Sequence, residues 1–402
     1  MAMKTLPTFT RRARWAVPTG AVALVAAVIA GSMVSAAAAS PALPARTPAQ
    51  LLAAFAANAG TPPAMTGTVV ETADLGIPAL PGAQNPTSVL SMLSGSHTIN
   101  LWYADRQHAR LALPFPMGET DLIRNGSTAW VWQSSSDSVE RVVLPAAAAG
   151  QPGPAASASP PEAPLTPQQA AQRVLTAVGP TTSVTAGPAT TVAGQDAYQL
   201  VIAPKDSRSL IGSVVIALDA GHPGVPLSVQ IFAKGAASPA FQTGFTKISF
   251  GAPPAGMFDF TPPAGASVHT VTLPARPVSQ SGGTPSPPPS PPGGPAVVGN
   301  GWLSVAVLPA SVLSGLTGAG NAAGALGQAA RSASSGPASG PGGPDSTAIL
   351  GAVLKSAKPV SGSWGSGELL QTSLVSVLIT SNHVLVGAVD RSVLFAAAEQ
   401  AG

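Results

Sequence analysis

The chain has 402 residues, only 9% of them charged, with a formal net charge of +3, 43 glycines, 43 prolines and no cysteine. No Lys/Arg cluster occurs beyond the extreme N-terminus, which excludes nucleic acid as a partner because neutralising phosphates takes a basic stripe. The lack of cysteine excludes disulfides, thiolate metal sites, a cysteine nucleophile and a lipid-acceptor cysteine, so an exported form must rely on core burial alone.

Arg11, Arg12 and Arg14 precede an uncharged stretch, 15–40, whose middle is Ala/Val/Leu/Ile and whose end, 36–39, is all alanine. Basic, apolar and small-residue regions in that order make residues 1–39 a secretory signal peptide, or a membrane anchor if left uncut. Either way the remainder is expected outside the cytoplasm. Thr47-Pro48-Ala49-Gln50 then supplies an N-cap, a proline suited to the first helical position and a glutamine able to reach back. Leu51, Leu52 and Phe55 share one face of that helix, which ends near Asn58 and Gly60. The same device at Thr166-Pro167-Gln168-Gln169 opens a second helix, with Val174, Leu175 and Val178 as its apolar face.

A first strand is expected at 66–72, then a Pro/Gly-rich loop at 74–86 and a short helix at 88–93. Residues 96–144 hold alternating runs: Ile99-Leu101-Tyr103, Leu111-Leu113-Phe115, Trp130-Trp132 and the valines beyond. Period-two alternation sets one face of each strand against a core. Asn125-Gly126 predicts a hairpin with both residues at positive φ. Residues 146–164, almost all Ala/Pro/Gly/Ser, read as a flexible insertion. Strands resume at 181–192, 197–203, 213–218, 227–232 and 241–250. Two helices and about ten strands in meander order fit one antiparallel sheet wrapped around helices. It closes on Phe258-Asp259-Phe260-Thr261-Pro262-Pro263-Ala264-Gly265-Ala266-Ser267-Val268.

That ending resembles the F-x-F-x-P-P-x-G-x-x-V close of the LolA-like lipoprotein-carrier superfamily, which includes periplasmic lipoprotein chaperones, the N-terminal domain of RseB/MucB regulators and mycobacterial lipid-binding lipoproteins. Three further stretches agree in order and spacing. Residues 103–111 are similar to the family's strand–turn–strand ending in Arg-hydrophobic. Arg124-Asn125-Gly126-Ser127-Thr128-Ala129-Trp130-Val131-Trp132 resembles its D-G-x-x-x-W-x-Y hairpin, and residues 197–205 its Y-x-L-x-L-x-P-K strand. The resemblance runs from about Thr47 to Val271, and places a LolA-like domain at 46–275. It implies an α+β fold, an unclosed antiparallel β-barrel with helices plugging its concave side around an apolar cavity that takes acyl chains. It also implies an inner-wall arginine that ties the lid helices, at the position of Arg110. From the residues alone, Arg110 is equally an exposed strand arginine.

The expected cavity residues are Arg110, Leu101, Tyr103, Leu111, Leu113, Trp130, Trp132 and Phe245. Trp130 and Trp132 share a face opposite Ala129 and Val131, so one side of that strand presents wide rings and the other small residues. Beyond the domain, 276–300 is a Pro-rich spacer. Residues 301–402 form a C-terminal segment with a Gly/Ala-rich stretch at 318–345 read as disordered, a helix at 349–354, and a small α/β hairpin built from 374–379 and 384–389 with a helix capped by Asp390.

Catalytic signals are weak. No Gly-x-Ser-x-Gly elbow or helical His pair occurs. His97 and His108, on adjacent expected strands with Asp105 between, are the one candidate pair. Glu119 with Asp121, and Asp137 with Glu140, read as solvated turn carboxylates. The sequence therefore points to an exported, non-enzymatic binding protein without cofactor or metal. Its expected partner is lipid or lipoprotein acyl chains or, as an RseB-like regulator, a membrane-bound envelope protein such as an anti-sigma factor.

Overall fold

The computed structural model describes residues 41–58, 62–76, 94–144, 172, 175–176, 178–272, 296–310 and 357–401. The expectations for 1–39, 88–93, 146–164, 318–345 and 349–354 lie outside the described residues, as does most of the second helix. Helix α1 is Pro48–Asn58. The strands of the first sheet are β1 (Met65–Asp74), β2 (Ser94–Asp105), β3 (His108–Phe115), β4 (Gly118–Asn125), β5 (Thr128–Gln133), β6 (Ser138–Val143), β7 (Thr182–Ala186), β8 (Thr190–Val192), β9 (Gln195–Pro204), β10 (Ile211–Asp219), β11 (Pro226–Ala233), β12 (Pro239–Phe250) and β13 (Ser267–Thr272). The second sheet holds β14 (Ala296–Val298), β15 (Val305–Pro309), β16 (Lys358–Gly362), β17 (Gly365–Gln371), β18 (Ser376–Thr380) and β19 (His383–Gly387), followed by helix α2, Arg391–Ala401.

The α1 cap forms as the sequence dictates. Thr47 N–H donates to Gln50 Oε1 at 2.8 Å and Gln50 N–H to Thr47 Oγ1 at 3.3 Å, a reciprocal capping box. Leu51, fully buried, packs with Leu200 and Leu218, and Leu52 and Phe55 flank it against Val184, Tyr198 and Ile202. One leucine stripe thus seats the helix on β7, β9 and β10.

The first sheet runs β13-β6-β5-β4-β3-β2-β1-β12-β11-β10-β9-β7, with β8 also paired to β9. The protein is mostly sheet with few helices among the described residues, and this sheet is not closed. Strands β1 to β6 are a meander, and β12 returns to pair with β1. The departure from an all-antiparallel arrangement is β13, which lies parallel to β6 from Ser267↔Ser138 to Thr272↔Val143. Its core at β1, β2 and β12 is built by Met65, Leu227 and Val225 with Leu101, Tyr103, Phe245, Ile248 and Phe250 packed around them.

The Asn125-Gly126 turn differs from expectation in detail. Asn125 pairs with Thr128, so Gly126 and Ser127 are the central residues, and Gly126 alone has positive φ, +60°. Glycine at the first central position is the II′ hairpin pattern. The side chain of Asn125 is thereby free for another use, described below.

The C-terminal segment is larger than a hairpin. Its six described strands run β14-β15-β19-β18-β17-β16, all antiparallel, and β14 lies inside the stretch read as spacer. Strands β16 and β17 escape sequence reading because glycine and serine break their alternation. Helix α2 is capped by Asp390, whose Oδ1 accepts from Ser392 N–H and Val393 N–H. Leu394, Ala397 and Ala398 then bury against Val305, Val307, Leu378, Leu385 and Val389. Polar contacts join the two sheets. Leu210 N–H donates to Ala388 O and Asp390 N–H to Arg208 O, while Trp302 Nε1–H reaches Thr182 Oγ1 at 2.8 Å.

Gly67 shows how tightly β1 is packed. A Cβ there would lie 2.6 Å from the Phe245 ring and 2.9 Å from the Lys247 carbonyl oxygen. The ring can swing, but the backbone carbonyl cannot without moving β12. Gly67→Ala is therefore expected to destabilise by about 1–3 kcal/mol in urea unfolding, the usual penalty for overpacking.

Candidate functional site: an apolar trough on the first sheet

Cross-strand register carries one face outward from the core. Met65 opposes Tyr103 and Gly67 opposes Leu101. Leu101 then opposes Leu111, Leu111 opposes Leu122, Leu122 opposes Val131 and Val131 opposes Glu140. A parallel row runs from Tyr103 through Ala109, Arg124, Ala129 and Val142 to Val271. Beyond β2 this face is not filled by core. It forms a trough of about 370 Å³ lined by Leu111, Leu122, Val131, Val142, Leu144 and Val271 with Ala109 and Ala129, bordered by Ile123 and Trp130 and carrying Arg124 and Glu140. Leu111 and Leu122, adjacent across β3 and β4, are left 37% and 36% exposed.

The opposite face of the same strands is sealed. Its rows read Trp102, Arg110, Ile123, Trp130, Arg141 and Asn100, Ala112, Asp121, Trp132, Val139. The Phe258–Phe260 segment straps across it. The Phe258 ring meets His108 at 5.8 Å between centroids, and Phe260 meets Trp130 at 5.5 Å and Trp132 at 6.5 Å. Asn125 Nδ2–H donates to Phe258 O and Asp259 Oδ1, tying the strap to the hairpin turn. Two phenylalanines spaced by one residue thus drop onto one side of an extended segment, while the intervening aspartate takes the tie.

Arg110 lies on this sealed face. Its guanidinium pairs with Asp121 and stands 5.6 Å from the Trp102 ring centroid. It engages β4 and β2, whereas α1 sits on β7, β9 and β10. Asp121, read from sequence as a solvated turn carboxylate, is only 1% exposed; the correction arises because strand β4 continues through it and turns it inward. Arg141 covers Trp130 in the same manner, at 5.4 Å.

The expected cavity residues therefore divide. Leu111 lines the trough and Trp130 borders it. Leu101, Tyr103 and Phe245 pack in the central core. Leu113, on the trough's face of β3, opposes Thr120 beyond the lining residues. Arg110 and Trp132 belong to the opposite face. Leu122, Val131 and Val142 are cavity walls that the sequence expectation does not include; Val131 carried a signal as one of the small residues alternating with the tryptophans. A second apolar cavity of about 350 Å³ lies where Leu52, Leu175, Val178, Val184 and Ile202 meet Trp302.

His97 and His108 do not come together. His97 opposes Glu71 on the core face, and His108 opposes Asn125 on the sealed face. His108 Nδ1 instead lies 2.9 Å from Asp105 Oδ1, a hydrogen bond that holds the Asp105 carboxyl below its ordinary range. Among the described residues no group of three or more His, Asp or Glu is placed to hold a metal ion. No described helix is long and apolar enough to cross a membrane.

Two predictions follow from the buried charges. Replacing Asp121 by Asn leaves the partly buried Arg110 guanidinium without its countercharge, with an expected loss of about 1–3 kcal/mol in urea unfolding. The double replacement Arg110→Met, Asp121→Leu should recover most of it. Glu71 is 8% exposed, and burial raises its pKa above 4.5, with the His97 charge opposing part of the rise. The folded state then holds this proton more tightly than the unfolded chain. Glu71 therefore makes stability fall as pH rises from 4.5 through its raised value. Glu71→Gln should remove that component, and urea midpoints between about pH 4 and about pH 7 would show it.

No protein-family model matches the chain, and no curated protein matches it. Solved structures do. The MucA/MucB complex of Pseudomonas aeruginosa is 14% identical, covering 87% of this chain and 96% of that one with a TM-score of 0.41. A LolA superfamily protein from Nitrosomonas europaea is 9% identical over 54% of this chain and 99% of its own, at 0.22. An outer membrane lipoprotein-sorting protein domain from Vibrio parahaemolyticus is 12% identical over 47% and 85%, at 0.16.

Proposed function

We propose that the chain is an exported, non-enzymatic binding protein whose trough holds the acyl chains of a lipid or lipoprotein. In this reading residues 1–39 direct export, 46–275 form the LolA-like domain as an unclosed barrel with its helices on the concave side, 276–300 connect, and 301–402 form an accessory part. The observation that carries it is the in-register Leu111–Leu122 pair, more than a third exposed on the floor of an apolar trough. Its volume falls within the range of about 300–1,000 Å³ usual for small-ligand pockets. Burial of alkyl chain stabilises by about 0.8 kcal/mol per CH₂, so such a site binds lipid without any catalytic group.

A second reading, an RseB-like regulator that binds a membrane-bound envelope protein, is favoured by one observation. The C-terminal sheet has a hydrophobic core of its own and is fastened to the first sheet by backbone hydrogen bonds at 208–210 and 388–390. A carrier needs no such addition, whereas a regulator gains a second surface.

Native mass spectrometry of the secreted protein, with organic extraction of anything bound, separates the two readings. The carrier reading expects an adduct of lipid mass, and uptake of a fluorescent fatty acid weakened at least roughly tenfold by Leu122→Asp, which sets a charge among apolar walls. A clean apo mass with no uptake overturns it. A stable partner with a transmembrane helix, and no bound lipid, supports the regulator.

A further inference from the structure

We infer that Arg124 selects the ligand's polar end, so that the trough takes amphiphiles with an oxyanion headgroup. This rests on the acyl-binding reading and adds to it the chemistry of the head.

Arg124 projects from β4 onto the trough face, where its cross-strand neighbours are Ala109 and Ala129. Two methyl side chains wall off little of a guanidinium, and the groups around them are aliphatic. Four other described arginines are engaged. Arg110 pairs with Asp121, Arg208 pairs with Asp206, and Arg141 and Arg46 lie over the rings of Trp130 and Tyr198. The hydrogen bond Arg124 makes is Nε–H to Gly126 O at 3.4 Å, long and taken from the inner nitrogen. Among the described residues no carboxylate pairs with it. A planar guanidinium beside apolar walls is suited to two parallel hydrogen bonds with a carboxylate or phosphate, and low local polarity strengthens them.

Glu140 is the trough's other charge. It lies two strands away on β6, in the next row along, between Val131 and His269 in register. An anion is therefore drawn toward β4 and repelled from β6. The alkyl chain is left to Leu122 and Leu111, beside Arg124 and on the side of β4 away from Glu140. The trough thus has a direction as well as an affinity.

The test measures dissociation constants for dodecanoate, dodecyl phosphate and dodecanol on the full secreted chain, by displacement of a bound fluorescent fatty acid. Hydrogen bonds to charged groups predict that the parent prefers the two anions over the alcohol by roughly tenfold or more. Arg124→Gln is expected to bring the anion-to-alcohol ratio close to unity, and Arg124→Lys, which keeps the charge without the fork, to leave part of it. Glu140→Gln should raise anion affinity a few-fold by removing the repulsion. Carboxylate favoured over phosphate, or the reverse, identifies the head. Equal affinities for all three ligands in the parent, or a preference that survives Arg124→Gln, overturn the inference while leaving acyl binding intact. Binding of none of them, and of no fatty acid, brings down the acyl-binding reading and this inference with it.

Discussion

The strap of Phe258 and Phe260 over the tryptophan face decides what the other face of the first sheet can do. A strand with Trp130 and Trp132 on one side and Ala129 and Val131 on the other has a wide and a narrow surface. Whichever is covered becomes core and the other becomes a site. The two phenylalanine rings, with Asn125 holding the backbone of Phe258, settle the wide side as core. The narrow side, floored by alanine, valine and leucine, is then a recess by default. Large rings behind a sheet and small side chains before it give a concavity with no dedicated loop.

The Arg110–Asp121 pair, with its carboxylate buried, belongs to that constraint. Desolvating two charges is unfavourable, and their attraction offsets it only with good geometry. Here the planar guanidinium also lies over Trp102, and Arg141 repeats the motif over Trp130, so the arginine stems extend the apolar cover while their heads stay paired or stacked. An ion pair locked diagonally across β3 and β4 resists a one-residue slip, which would exchange the two faces and turn the tryptophans into the trough. Register and site therefore depend on the same contacts.

How much of this was legible in the sequence follows from the range of each interaction. The α1 cap was, because Thr47 and Gln50 act within one turn. The strands of 96–144 were, because period two survives in nearly all of them. The closing motif was readable as a pattern, although its purpose, a strap onto Trp130 and Trp132, required the fold. Asp121 was misread because a carboxylate near a turn is usually wet, and only the register sets Arg110 beside it. Asn125 was credited to the turn's backbone when Gly126 supplies the positive φ and the asparagine serves the strap. Strands β16 and β17 were missed because Gly362, Gly365 and Gly367 interrupt alternation, so their pairing is fixed by β18 and α2 rather than by local preference. The candidate trough was half legible. The alternation named its strands, but which face stayed open depended on a segment more than 120 residues later.

Charge placement ties these features together. A chain with so few charged residues has little reason to spend them on a recess, and the first sheet mostly does not. Asp121, Arg110 and Arg141 are committed to the sealed face, Asp206 and Arg208 to each other beside the second sheet, and Asp105 to His108 at a turn. Arg124 and Glu140 stand apart because both are set on the narrow face, where Ala109 and Ala129 flank the first in register and Val131 and His269 the second. A purely structural sheet would gain by making those positions apolar or by placing them in register, where they could pair. Held two strands apart, with no ion pair among the described residues, they define a polarity along an otherwise apolar surface. An amphiphile, with one charged end and one long apolar body, is the simplest ligand that matches that pattern.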